Sequence, residues 1–311
     1  MSDDTRPEFA YINWLRGQKN SKDTDILIGL GDDCAAIQSP RDRITLLTTD
    51  MLMEGSCFIL AEAGARRVGR KAMSVNLSDI AAMAGIPRHA LVSLGLPRGQ
   101  GRRIAEELYL GMREVADAFE TRIIGGDTNS WDGPLVVSVT LLGEAQGRGP
   151  VKRSGAKTGD WIFVTGELGG SILGKHLDFT PRVREAGKLH QLVDLHAMID
   201  ISDGFASDLQ HICKESGCGA LIRGESIPIS ASARIKSAQD GKPALEHALG
   251  DGEDFELIFT VSPEDGERLK TGQTIEGTAI HHVGEILEEG LWLEIAGKRR
   301  ELACLGYGHE I

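Results

Sequence analysis

Several features that would narrow the search are missing from this chain. No run of 18 or more apolar residues occurs, which leaves no candidate for a bilayer-spanning helix. The opening Met1-Ser2-Asp3-Asp4-Thr5-Arg6 is acidic and polar, without the basic-then-apolar order of a signal peptide, so a cytoplasmic location is expected. Cysteine is sparse and odd in number: Cys34, Cys57, Cys213, Cys218 and Cys304 contain no C-x-x-C pair and no zinc spacing, and they read as free thiols. There is no G-x-S-x-G elbow and no H-E-x-x-H, and the nine histidines form no ligand pattern. A basic stripe is also absent. Acidic residues outnumber basic ones 46 to 34, for a net charge of -12, which argues against a nucleic-acid partner.

What is present suits an ordinary globular protein of 311 residues, 41% hydrophobic and 26% charged. At roughly 150 residues per domain this length suggests two domains. Residues 8–16 read as a short opening helix, and residues 62–84 and 100–119 as longer ones. Ile26–Ile28, Ile44–Leu47, Leu91–Leu94 and Leu135–Val139 read as strands of the first half. The Gly/Pro-rich stretch Gln146-Gly147-Arg148-Gly149-Pro150 marks a boundary, dividing the chain into residues 1–147 and 148–311. The second half begins with the strand Trp161–Thr165 and continues through Ala197–Ile201, a helix over about 206–216, and the run Leu257–Val261. Residues 178–190 and 230–245 are polar or mixed and read as loop-rich.

One pattern recurs. An apolar run is followed within a few residues by an aspartate flanked by Gly, Ser or Thr. It occurs in Leu27-Ile28-Gly29-Leu30-Gly31-Asp32-Asp33, Leu46-Leu47-Thr48-Thr49-Asp50, Ile123-Ile124-Gly125-Gly126-Asp127-Thr128 and Met198-Ile199-Asp200-Ile201-Ser202-Asp203-Gly204. Aspartates of this kind also serve as plain turn residues. At strand ends of an α/β sheet they would instead project into a shared ligand crevice. Asn76 and Asp79 in Ser74–Met83 share one helical face and could join them. Two carboxylates about 4 Å apart repel by roughly 4 kcal/mol at an effective dielectric near 20, so a converging set requires divalent cations. If the ligand is ATP, cations would also resolve the meeting of anion with anion in so acidic a chain. Gly169-Gly170-Ser171-Ile172-Leu173-Gly174-Lys175-His176 imitates a phosphate loop, but His176 stands where magnesium binding needs Ser or Thr; the segment reads as a tight helix start.

Taken together, these segments resemble the thiamine-monophosphate kinase family, in the superfamily that also holds aminoimidazole ribonucleotide synthetase and selenophosphate synthetase. The resemblance runs from about residue 26 to the C-terminus. It rests on the aspartate motifs above, on Met51-Leu52-Met53-Glu54-Gly55, Arg153–Asp160 and Gly252-Glu253-Asp254-Phe255-Glu256-Leu257, and on Gly306-Tyr307-Gly308-His309. It implies a two-domain α/β fold like that of aminoimidazole ribonucleotide synthetase, with an N-terminal sheet domain that pairs in a homodimer and a C-terminal α/β domain. It implies phosphoryl transfer from ATP to thiamine monophosphate with several Mg²⁺ ions. Carried over by position, Asp33, Thr48, Thr49, Asp50, Asp79, Asp127, Asp200 and Asp203 would contact metal; Gly126, Asp127, Arg153 and Ser202 would touch ATP; Glu253 and Tyr307 would face the thiamine half. Cys57 stands where the family usually places a substrate-side histidine. No general base is assigned. The alternatives are another ATP-dependent synthetase of the superfamily or a nucleotide-binding regulator without turnover.

Overall fold

The structure, a computed structural model, describes residues 26–28, 36–37, 43–99, 101–270 and 274–302. Asp33 with residues 29–32, Tyr307 with residues 306–309, and the expected opening helix lie outside the described residues. The chain separates into two units, one of residues up to Leu77 with Pro87–Ala145, the other of Ser78–Ile86 with residues from Gln146 onward.

In the first unit a short antiparallel pair, β1 (Ile26–Ile28) and β2 (Ala36–Ile37), precedes a four-stranded sheet. That sheet contains β3 (Thr45–Met53), β4 (Ile86–Pro97), β5 (Arg122–Trp131) and β6 (Val136–Glu144) in the order β3-β6-β4-β5. β3 pairs antiparallel with β6, and β4 pairs parallel with β5. The expected strand Ile26–Ile28 is β1 itself, and the other three expected strands of this half fall in longer ones; ladder pairing with β6 carries β3 straight through the polar Thr48-Thr49-Asp50. Helices α1 (Ala65–Ala82) and α2 (Gly101–Ala118) occupy the segments read as helical. Val68, Ala72, Leu108 and Met112 on these helices are buried, as are Val137, Val139 and Leu141 of β6. α2 is amphipathic at helical spacing, with Ile104, Leu108, Met112 and Val115 inward. The alternation along β3 buries Leu46 and Leu52 but leaves Leu47 (69%), Met51 (60%) and Met53 (43%) exposed.

The second unit is built on β7 (Trp161–Thr165), β8 (Ala197–Asp200), β9 (Gly219–Arg223), β10 (Leu257–Val261), β11 (Thr274–Ile275), β12 (Thr278–Leu287), β13 (Leu291–Ile295) and β14 (Lys298–Glu301). Their order is β14-β13-β9-β12-β7-β10-β8, with β11 beside β12. Only the β13–β9 pairing is parallel among those described. Both faces of this sheet are covered. Ile162, Val164, Ile199, Ile258 and Ile222 face one core with Phe205 and Leu209 of α4 (Phe205–Ser216). Phe163, Met198, Leu257, Phe259 and Val261 face the other, with Ala186 and Leu189 of α3 (Val183–Leu192). Period-two alternation sends neighbouring residues into different cores, so β7, β8 and β10 read as continuous apolar runs.

The stretches read as loop-rich contain helices: α3 within or beside residues 178–190, and α5 (Ala231–Asp240) within 230–245. The signals were local ones. Ser230 caps α5 by accepting Ala233 N–H at 2.9 Å, and Gly241 closes it in the left-handed conformation. α6 (Ala244–Gly250) and α7 (Pro263–Lys270) complete this unit's longer helices.

Candidate active site

The expected site residues fall into two sets, one in each unit. In the first unit, Thr48, Thr49 and Asp50 lie in the middle of β3, and Gly126 and Asp127 in the middle of β5, rather than in loops beyond strand ends. Neighbouring strand residues face opposite sides. Thr48 and Asp50 therefore share a face, while the Thr49 hydroxyl turns away and bonds Val139 O at 3.2 Å and Thr140 Oγ1 at 3.1 Å. β3 and β5 are the two edges of the sheet, which separates Asp50 from Asp127 by three strand spacings, roughly 14 Å. Gly126 admits no side chain, since a Cβ there would stand 1.8 Å from Val92 O. Position 57 follows the end of β3; its Sγ accepts Met53 N–H at 3.5 Å, and the fully buried Lys71 donates to Cys57 O at 2.8 Å.

In the second unit the structure brings Asp79, Arg153, Asp200, Ser202, Asp203 and Glu253 onto adjoining segments. Asp200 ends β8 and is buried, with its Oδ2 accepting the Ser78 hydroxyl at 2.6 Å. Burial, and then the negative charge of Asp79, push the Asp200 carboxyl up to about 7; Arg153 pulls the other way. The next loop is fixed by a residue of α4. Asp208 Oδ2 accepts the N–H groups of Asp203 and Gly204, each at 3.1 Å, across the start of that helix. Its carboxyl rises to about 8, first from burial and then from the charges of Asp200 and Asp203. Ligand atoms of Asp203, Asp208 and His211 lie within 4.8 Å of one another. Ser78, Asp208 and His211 were not singled out from sequence, although the i, i+3 spacing of Asp208 and His211 on a helix starting at an aspartate motif is a readable cue. Asn76, expected beside Asp79, is instead fully buried, and its Nδ2 donates back to Ala72 O at 3.1 Å.

Glu253 lies in a loop zipped to the Asp200–Gly204 segment: Glu253 N–H donates to Ser202 O at 2.7 Å and Phe255 N–H to Ile201 O at 2.8 Å. Gly252 is required there, since a Cβ would meet Ser202 O at 2.7 Å. The imitation phosphate loop is occupied by the protein itself. Gly169 N–H donates to Asp254 Oδ2 at 2.7 Å, Gly170 N–H to Asp251 Oδ2 at 2.9 Å, and Lys175 Nζ to Glu256 Oε1 at 2.9 Å. A short helical turn, Ser171–Leu173, follows the two glycines.

A buried carboxyl raised by the charge of a second aspartate and lowered by that of an arginine, with one residue between it and the Ser202-Asp203-Gly204 segment, is an arrangement that a divalent cation would relieve. Both halves of the chain match family models: residues 31–145 the N-terminal domain, and residues 152–291 the C-terminal domain, of AIR synthase related proteins. This defines the class. A thiamine-monophosphate kinase of Rhodopirellula baltica is 42% identical over 302 residues, covering 94% of each chain. The crystal structure of the thiamine-monophosphate kinase from Stenotrophomonas maltophilia superposes with a TM-score of 0.79 at 30% identity, covering 93% of this chain and 96% of that one. AaThiL, solved in complex with AMPPCP and TMP, superposes at 0.75 with 28% identity, covering 97% of each. The chain belongs to the thiamine-monophosphate kinase family.

Proposed function

We propose that this protein transfers the terminal phosphoryl group of ATP to thiamine monophosphate, giving thiamine diphosphate and ADP. The observation that carries the ATP and metal half is the confrontation of buried Asp200 with Asp79 beside Arg153. The acceptor is supported by 42% identity, nearly end to end, with a relative named for that substrate. An oxygen of the acceptor phosphate forms the new bond to the γ-phosphorus as the bond to the β,γ-bridging oxygen breaks, and that electron pair leaves with ADP. With a second phosphate pKa near 6, the acceptor is already ionised around neutral pH, so no general base is needed. Positioning and charge neutralisation supply the rate.

The donor set suits Mg²⁺. Asp33, Thr48, Asp50, Asp79, Asp127, Asp200 and Asp203 offer only oxygen, the preference of a hard cation, Thr49 offers the same donor type from the opposite face of β3, and an Asp200–Asp79 pair is relieved by positive charge. When bound, the ions would neutralise charge on the phosphates. Gly126, Asp127, Arg153 and Ser202 would hold ATP; Cys57, Glu253 and Tyr307 would hold the acceptor. The working form is a homodimer in the cytoplasm, without nucleic-acid or membrane partners. The exposed Leu47, Met51 and Met53 on the β3 edge supply an apolar surface for a second copy, and the Asp50–Asp127 separation gives that copy a role in completing the site. Among the described residues no helix is long and apolar enough to cross a membrane.

The test is ATP turnover by the purified protein with Mg²⁺, with and without thiamine monophosphate. ADP formation that depends on the acceptor and on Mg²⁺ is expected. Turnover only with a different acceptor would overturn the thiamine assignment and leave the ATP site standing.

A further inference from the structure

Two residues of the loop between α6 and β10 hold backbone conformations that non-glycine residues rarely adopt: Glu253 at φ 62° and Phe255 at φ 50°. Asp254, between them, is fully buried. Its carboxylate accepts Gly169 N–H at 2.7 Å and the Ser171 hydroxyl, and stands 3.9 Å from Lys175 Nζ. The residues on either side repeat the pattern. Asp251 accepts Gly170 N–H at 2.9 Å and Lys236 Nζ at 3.1 Å. Glu256 accepts Lys175 at 2.9 Å, Arg182 through Nε and Nη2, both at 2.7 Å, and the Thr165 hydroxyl at 2.7 Å.

The loop is therefore gripped from two sides. Its amides are zipped to Ile201 and Ser202, and its carboxylates are seated in the Gly169–Lys175 turn. Left-handed backbone at two non-glycine residues persists only where the surroundings over-determine it. Paired glycine amides and a lysine, which in a phosphate loop would bind an anion, here bind the anions of the neighbouring loop. Asp254 itself is closed off from any substrate, whereas Glu253 beside it is partly exposed.

We infer that Asp254 is a positioning residue: docked in the Gly169–Ser171 turn, it holds Glu253 in its left-handed conformation and so sets recognition of the thiamine-bearing acceptor. This deepens the proposed function and rests on it for the identity of the acceptor. The turn that imitates a phosphate loop then serves acceptor selection, not ATP binding.

The experiment compares wild type with Asp254→Asn in steady-state kinetics and in hydrogen exchange of the Glu253 and Phe255 amides. Asparagine keeps the size but loses the charge that both donors face. Expected are an acceptor KM raised about tenfold, the scale of one lost charged hydrogen bond, an ATP KM changed less than twofold, and faster exchange at both amides. A merely structural role would move both KM values together with thermal stability; that result, or unchanged KM and exchange, overturns the inference. Should Asp254→Asn fail to fold, Ser171→Ala removes one of the same bonds and is judged by the same split. If wild type does not phosphorylate thiamine monophosphate, the functional reading fails by itself. The amide exchange still decides whether Asp254 holds the loop.

Discussion

Asp79→Asn removes one of two like charges that meet at the end of β8, and it should raise the stability of the metal-free protein while abolishing turnover. The Asp200 carboxyl is raised from 3.8 to about 7, with burial the larger cause and Asp79 the next. A shift of about three units biases against the ionised form by roughly 4 kcal/mol. Asp79 is the second of the two raising causes, and its removal should relieve part of this, on the order of 1–2 kcal/mol. The sign depends on pH. Because the native pKa lies above the ordinary value, the native state binds the proton more tightly, and that stability is fully present below about pH 4 and lost as pH rises through about 7. The gain from Asp79→Asn therefore belongs at about pH 8, where Asp200 is ionised, and vanishes near pH 4. At roughly 2–4 °C per kcal/mol for a domain of this size, the melting temperature should rise by about 2–8 °C. Mg²⁺ should reverse the ranking. Wild type, with both carboxylates, should gain stability from the cation, and the variant should gain little. Thermal unfolding at about pH 8 and pH 4, with and without Mg²⁺, measures all of this. A variant that melts below wild type at the higher pH without metal, or that gains as much from Mg²⁺, would refute the reasoning.

Two further outcomes are expected in the first unit. Cys57→His should keep or raise kcat/KM for thiamine monophosphate across pH 6 to 9, most at the acidic end where imidazolium can pair with phosphate; a loss at every pH would show that position 57 does not face the acceptor. Met51→Asp, placing a charge on a side chain that is 60% exposed on the β3 edge, should shift the protein toward monomer in sedimentation equilibrium and lower turnover. A wild type that is already monomeric at micromolar concentration would remove the basis of that expectation.

Sequence by itself determined the chemistry. Oxygen donors recurring after apolar runs, an acidic balance and the absence of nucleophile or zinc patterns all point to metal-held phosphate, because those properties belong to residue types and short spacings. It also marked β1, β3, β4 and β6 of the first unit and β7, β8 and β10 of the second by their apolar runs, while β2, β5, β9 and β11 to β14 carried no run strong enough to be read as strands. Partnership was a different matter. Thr48, Thr49 and Asp50 look like a loop in sequence, yet ladder pairing with β6 draws them into a strand and turns Thr49 away from its neighbours. Asn76 and Asp79 share a helical face, but packing buries one and leaves the other beside Asp200. Gly169–Lys175 carries the wording of a phosphate loop, and only the fold shows that Asp251, Asp254 and Glu256, some 80 residues later, already fill it. A hydrogen bond or a shifted pKa between residues far apart in the chain depends on distances that no local spacing contains, so these assignments were decided by the tertiary structure alone.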